Sequence, residues 1–445
     1  MGRSEFQQSP EKRNSKLTVA EILSRCAGAY VNQYPCQAAP QVQSTLAKLS
    51  LCRTAVLGGH KYRCSGCDHT INVYNSCGDR CCPTCSGARR SDWLESAREL
   101  IFEGVDHFQV VFTLPSELSR LALGNRKVLY DLLFTSASSA LKRTIGSEHG
   151  FECAGLMVLH TWNQKLDAHA HVHAVVPGCG PALDGSGVRF AQRQDDETSI
   201  GRYLVDADCL RTAFRDIFLR GLNRLRKKSE LKLAGEFQFL LEDNHWEELL
   251  AALRETTWVS HIQAPPRAGS SAEQVLKYLA RYLAGGPISD SRIVATDQES
   301  VTFMARQGEV SGGDWEQVPM TLSQVEFTRR WCLHVLPAGY TKTRRFGGWS
   351  NIRREQYLER LAIQLQAVDP ALAPLSAQAS DFGPFDEIAE QHSGDAEEGK
   401  ENGQRVCPQC GSQLIPHSVV AKPSWAEIMA SPRRPNWYRQ PLAKL

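Results

Sequence analysis

Residues 154–176 read AGLMVLHTWNQKLDAHAHVHAVV, and the fold is decided there. The two ends, AGLMVLH (154–160) and HVHAVV (171–176), are short apolar runs, the pattern of buried strands. Between them lies the polar stretch TWNQKLDAHA, and this link of roughly ten residues lets the two strands turn back and pair antiparallel. Residues two apart on a strand share a face, so His171 and His173 point the same way. His160 ends the preceding strand and is placed to complete a three-histidine face. Two readings stay open: a satisfied core histidine pair, or a grip for a divalent ion. Three neutral imidazoles would leave coordination positions open for phosphate oxygens and water. His169 is a fourth candidate; at the strand entrance it suits a supporting or solvent-facing place.

Outward from this stretch the pattern is mixed. Upstream, FQVVFTLP (108–115) reads as a buried strand ended by proline, and 116–143 as helix. Downstream, LDGSGVRF carries a Gly-rich hairpin turn, and 206–228 is a basic amphipathic helix. SSAEQVLKYLARYLAGG (270–286) is a marked helix: Ser270 and Glu273 form a capping box, and Gly285-Gly286-Pro287 ends it. Tyr278 and Tyr282 lie four apart on one face of that helix. They are either core residues or a pair of phenols able to attack a phosphodiester. Lys277 and Arg281 flank them, as phosphate contacts or as solvated charges. Residues 287–345 return to short strands and turns, and 352–366 is helical. An α+β protein is expected.

Seven of the 15 cysteines fall between Cys52 and Cys85. An odd total with no signal peptide argues against a disulfide framework and points to metal. Cys64-x2-Cys67, fourteen residues, then Cys82-x2-Cys85 can present four thiolates to one structural zinc. Cys52, His60, Cys77 and Cys81 remain, as ligands of a second zinc or as packing residues. Arg53, Lys61, Arg63, Arg80, Arg89 and Arg90 interleave with Tyr62 and Tyr74, which suits phosphate contact and base stacking or a plain solvated face. Near the C-terminus, Cys407-Pro-Gln-Cys410, with His417 nearby, is half of a zinc site.

The net charge of +2 hides a gradient: residues 381–403 carry a net −7, leaving a body of about +9. A mildly basic body fits a nucleic-acid binder. No apolar run reaches membrane-spanning length, and the N-terminus has no secretory apolar core. A cytosolic chain with no membrane partner is expected. The boundaries expected are 1–51 helical, 52–92 zinc-binding, 93–365 a nuclease domain, 366–405 an acidic linker and 406–445 a tail with CxxC. No internal repeat is visible, and nothing fixes an oligomeric state.

In combination these pieces resemble the HUH endonucleases, most of all the rolling-circle insertion-sequence transposases of the IS91 type. The motifs that carry the resemblance are RTAVLGGHKYRC and the NSC and CPxC of the cysteine module, then VVFTLP, VLHTWNQKLDAHAHVHAVVPG, YLARYLAGGPIS and LHVLPAGYTKTRRFG. It covers roughly residues 18–365. The resemblance implies a central antiparallel sheet flanked by helices, Mg2+ or Mn2+ as catalytic ion, and single-stranded DNA nicked and joined through a 5′-phosphotyrosine. It implies His171 and His173 as metal ligands, with His160 as third ligand from the three-histidine branch, and Tyr282 and Tyr278 as nucleophiles. Cys81 stands where the family usually has a histidine before CPxC, and Arg345 where a histidine is usual.

On this reading the zinc module and the basic helix, with Arg211, Arg215, Arg220, Arg224, Arg226, Lys227 and Lys228, hold the element-end DNA at the bacterial nucleoid. The helix also has a bland reading, since Leu210, Phe214, Ile217 and Leu225 make the arginines its wet side. The rivals are a plasmid replication initiator or relaxase of the same chemistry, a non-catalytic zinc-containing DNA regulator, and a small-molecule hydrolase or oxygenase. The last would need a carboxylate ligand near the HxH face, with Asp167 and Asp184 available.

Overall fold

Alternating apolar residues in AHAHVHAVVP form a strand whose Ala170, Val172, Ala174 and Val176 side is buried in the main core. A strand buried this way needs partners on both edges, and the computed structural model supplies them. It describes residues 17–85, 97–191, 204–263, 286–307, 316–372, 400–401 and 404–439. The strands among the described residues are β1 (Gly59–Cys64), β2 (Thr70–Tyr74), β3 (His107–Thr113), β4 (Ala154–Trp162), β5 (Ala168–Pro177), β6 (Cys179–Pro181), β7 (Val188–Phe190), β8 (Val259–Gln263), β9 (Ile293–Thr296), β10 (Ser300–Gln307), β11 (Glu316–Ser323), β12 (Thr343–Gly347), β13 (Lys400–Glu401), β14 (Gln404–Arg405) and β15 (Leu414–Val420). By contacts the chain divides into two units: residues 1–77, 288–329 and 389–445 in one, and 78–287 with 330–388 in the other.

The second unit is built on a five-stranded sheet of order β12-β4-β5-β3-β8, antiparallel throughout. The helices Arg126–Glu148 and Ala207–Lys227 cover one face through Leu133, Ala137, Leu141, Phe214, Phe218 and Leu222. The amphipathic spacing of Leu210, Phe214 and Phe218 makes the second helix dock there, and Asp206 caps it by accepting from Cys209 N at 2.6 Å. Part of the opposite face packs Leu156, Val158 and Val175 against Trp349, Tyr357, Leu361 and Leu365, the last three on the helix Arg354–Val368. The rest of that face carries the histidines. Strands β6 and β7 form the hairpin expected from LDGSGVRF, with Gly185 and Gly187 at positive φ in its turn.

The first unit begins with the helices Val19–Gln33 and Pro40–Ser50. A capping box of Thr18 and Glu21 starts the first, and Val19, Ile22, Leu23, Cys26, Ala27 and Tyr30 form its buried stripe. Its three-stranded sheet has the order β15-β1-β2. The segment that the sequence sets apart as a tail thus supplies an edge strand to the cysteine module, pairing Gly59 with Val420 and Cys64 with Leu414. A separate antiparallel sheet joins β9, β10 and β11. The helix expected at 270–286 lies outside the described residues, except Gly286.

The ring of Phe112 is fully buried, 4.9 Å from Phe214 across the sheet–helix seam. Truncation to alanine should therefore cost about 3–5 kcal/mol, read as a lower urea midpoint. The same change at the exposed His60 should alter stability by less than about 0.5 kcal/mol.

Candidate functional site

Register builds the histidine face. Along β4 and β5 His160 pairs directly with His171, and His173 pairs with Val158 one step further into the sheet face. On the other edge of β5, His173 pairs with Val111 and His171 with Thr113. The three imidazoles converge: ring centroids lie 5.4 Å apart for His160–His171, 4.6 Å for His160–His173 and 5.0 Å for His171–His173. One nitrogen from each falls within 4.8 Å of the others. His169 is not in this group; its carbonyl oxygen accepts from His171 Nδ1–H at 2.9 Å. That bond leaves the His171 Nε2 lone pair as ligand. Gln109 lies 2.8 Å from His173 Nδ1 through its amide. With the amide turned so that oxygen faces the ring, it would fix the matching tautomer on His173.

Burial keeps His171 and His173 neutral. It pushes His171 down to about 3, with His173 beside it adding to the shift, and His173 down to about 4, with Lys342 adding. Neutral imidazoles offer lone pairs to a cation where imidazolium cannot. Around them stands a layer that the sequence reading missed. Trp162 stacks on His160 at 4.6 Å with the rings 19° apart, and Lys342 Nζ lies 5.0 Å over the indole. His334 bridges behind, with Nδ1 3.2 Å from Thr161 Oγ1 and Nε2 3.1 Å from the Leu166 carbonyl oxygen. Leu166 holds φ at +62°, and Asn163 Oδ1 ties the turn by accepting from Lys165 N and Asp167 N, 2.9 Å each. Trp162, Asn163, Leu166, His334 and Lys342 all lie within the motifs that carry the resemblance, but nothing in the spacing of those motifs shows that they meet around His160.

The carboxylates that a small-molecule enzyme would need are engaged elsewhere. Asp167 pairs with Arg330 at 2.9 Å, and Asp184 with Arg189. Neither joins the three-histidine group.

The cysteines regroup. Cys64 and Cys67 gather with Cys407 and Cys410, all four sulfurs within 4.8 Å of one another. This corrects the expectation that joined Cys64 and Cys67 to Cys82 and Cys85 in one site, and the physical reason is strand pairing: β15 against β1 brings the second CxxC alongside the first. The sets expected to contain Cys81 and His60 are corrected too. His60 is exposed on β1, 6.4 Å from the Tyr62 ring, and belongs to no donor group among the described residues. Cys81 belongs to none either; burial raises its thiol to about 11, and its backbone N–H donates to Asp79 at 3.0 Å. Cys77 N–H donates to Cys52 Sγ at 3.4 Å. Cys82 N–H donates to the Asp79 carbonyl at 3.1 Å, and Cys85 Sγ lies 3.9 Å from that same oxygen.

Of the residues expected to bind DNA, Arg80 is exposed, and its guanidinium donates to the carbonyls of Tyr340, Pro337 and Leu336. Arg215 pairs with Asp216 at 2.9 Å, and Arg226 with Asp243 at 2.6 Å, while Arg224 is exposed. Tyr278, Tyr282, Lys277, Arg281, Arg89 and Arg90 lie outside the described residues.

A three-histidine face on an antiparallel sheet, in a chain with a separate four-thiol cluster, defines a metal-binding α+β protein. Comparison with known proteins then gives its family. A family model described as "Putative transposase" matches residues 155–356, and one described as "Transposase zinc-binding domain" matches residues 22–114. A protein named "Putative transposase y4qJ", from Sinorhizobium fredii, is 36% identical over 398 residues, 88% of this chain and 92% of its own. The "Transposase for insertion sequence element IS801" of Pseudomonas savastanoi pv. phaseolicola is 27% identical over 333 residues, 74% of this chain and 75% of its own. No solved structure matches. The chain belongs to the IS91-type transposases with an N-terminal zinc-binding domain. It is a transposase that acts on DNA and binds zinc. Among the described residues no helix is long and apolar enough to cross a membrane.

The buried imidazoles set a pH dependence. His107, held at about 4 by burial, and His334, at about 3 for the same reason, join His171 and His173. Each stays neutral in the fold and takes up a proton on unfolding below pH 6.5, so stability is full above 6.5 and falls as the pH drops toward 4. In chelator, the thermal midpoint should fall steadily between pH 7 and pH 5. His334→Gln should make that fall shallower.

Proposed function

We propose that the chain cuts and rejoins single-stranded DNA at the ends of an insertion sequence, through a 5′-phosphotyrosine intermediate, in rolling-circle transposition. The convergence of His160, His171 and His173 on one face of β4 and β5 carries this reading. The donor set fits a divalent ion: three imidazole nitrogens close enough together to share one cation. Mg2+ or Mn2+ held there would supply Lewis-acid polarisation of the scissile phosphate.

The chain's own groups do the rest. Tyr282, with Tyr278 as its second, is assigned the nucleophile by resemblance. Its phenolate oxygen forms a bond to phosphorus, the bond from phosphorus to the 3′ oxygen breaks, and that oxygen takes up a proton as a free 3′-OH. The phosphate stays on the tyrosine as an ester, so a later 3′-OH can reverse the step at a new site. Two tyrosines permit two cleavages without release. The exposed Arg220, Arg224, Lys227 and Lys228 on the basic helix are offered as phosphate contacts. Zinc is proposed as the ion of the domain matched over residues 22–114.

Incubated with labelled single-stranded element-end DNA and Mn2+, the protein should form a denaturation-resistant adduct. Chelator, His171→Ala, or Tyr278→Phe combined with Tyr282→Phe should each abolish it. An adduct that persists in the double tyrosine variant overturns the reading. Gln109→Ala should weaken Mn2+ binding about 10–100-fold by freeing the His173 ring, measured by titration calorimetry.

A further inference from the structure

Four thiols from opposite ends of the chain meet inside the first unit. Cys64 and Cys410 are 346 residues apart in sequence and 3.3 Å apart at sulfur. Cys67 lies 3.8 Å from Cys407 and 3.5 Å from Cys410. The match to the transposase zinc-binding domain ends at residue 114, so two of these four thiols stand far outside it.

We infer that Cys64, Cys67, Cys407 and Cys410 hold one structural zinc ion, which fastens the C-terminal segment to the zinc-binding domain. Tetrahedral zinc with Zn–S of about 2.3 Å sets its sulfurs roughly 3.8 Å apart, close to the separations here. None of the four cysteines is in a disulfide. Thiols are weak hydrogen-bond partners, and mutual attraction gives four of them little reason to converge.

The backbone around them is built as two facing knuckles. Cys64 closes β1 and Leu414 opens β15 opposite it, so strand register places the two CxxC turns side by side. Ser65 N and Oγ both donate to the Gln413 carbonyl at 3.0 Å. Gly66 N–H points at Cys64 Sγ, 3.3 Å away. A Cβ at Gly66 would sit 2.2 Å from Ser412 Oγ, so only glycine lets the turns approach this closely. On the second knuckle, Gly411 N–H donates to the Cys407 carbonyl at 2.8 Å, with φ at +71°.

Four protein ligands leave no open position, so the role is structural and not catalytic. As zinc binds, each thiol gives up its proton to solvent. The rest of the segment follows the anchored strand over the same unit. Lys422 Nζ donates to the Ser76 carbonyl at 2.5 Å, Lys48 Nζ lies 5.5 Å over the Trp425 ring, and Arg439 N donates to Gln43 at 3.2 Å. The C-terminal segment is thus a zinc-dependent part of the N-terminal module.

The full-length protein tests this without any DNA-cleavage readout, so its failure and that of the nuclease reading are distinguishable. In a timed alkylation followed by mass spectrometry, Cys410, though exposed, should resist while Cys36 and Cys209, exposed and outside the group, react. Chelator should make Cys64, Cys67, Cys407 and Cys410 reactive together. Cys407→Ser with Cys410→Ser should remove one zinc per chain by elemental analysis, and adding Cys64→Ser with Cys67→Ser should remove no more. Cys410 reacting as fast as Cys36 before chelation, or a tail variant with its full zinc content, overturns the inference.

Discussion

Everything at the histidine face depends on the pairing register of β4 with β5. Side chains alternate faces along a strand, so a slip of one residue would turn the imidazoles of β5 under the helices and bring Val172 and Ala174 out. Apolar contacts of Phe112, Met157 and Leu159 with the helical layer hold the register from one side. Contacts of Leu156, Val158 and Val175 with Trp349 and Tyr357 hold it from the other. The site therefore inherits its precision from the core. It sits on rigid strands and not on a loop, which keeps three donors aligned without rearrangement.

The same burial that fixes the rings also tunes them. Desolvation holds His171 and His173 neutral far below the usual histidine range, so they are ready for a cation at any physiological pH. Trp162, His334 and Lys342 extend the arrangement outward through stacking and hydrogen bonds. Burial also pulls Lys342 down to about 8, and its charge opposes protonation of the neighbouring histidines. The cost is stability at low pH. A polar, buried layer of this kind is tolerated where function requires it.

The sequence made the strands around the histidines legible because their apolar runs are dense and their spacing short. His160, His171 and His173 could be grouped because they are near one another in the chain and joined by one turn. Gln109, His334 and Lys342 were out of reach: each arrives from a different part of the sheet or its connections, and no local pattern links them to His173 or Trp162. The cysteines show the same limit more sharply. Two CxxC pairs close in sequence suggest a single site, yet β-pairing between chain ends overrides proximity and gives Cys64 and Cys67 to Cys407 and Cys410. The tail CxxC is visible as half a site; its other half is hidden by a sequence separation of 340 residues.

The proposed cleavage chemistry requires that His160, His171 and His173 bind one divalent ion. Pulsed electron paramagnetic resonance of the Mn2+-loaded protein addresses it at the atoms concerned. Nitrogen couplings from three histidine rings are expected, reduced by one ring in His160→Gln and lost when His171 and His173 are both replaced. A Mn2+ signal with water couplings alone, or one unchanged by those substitutions, would contradict it.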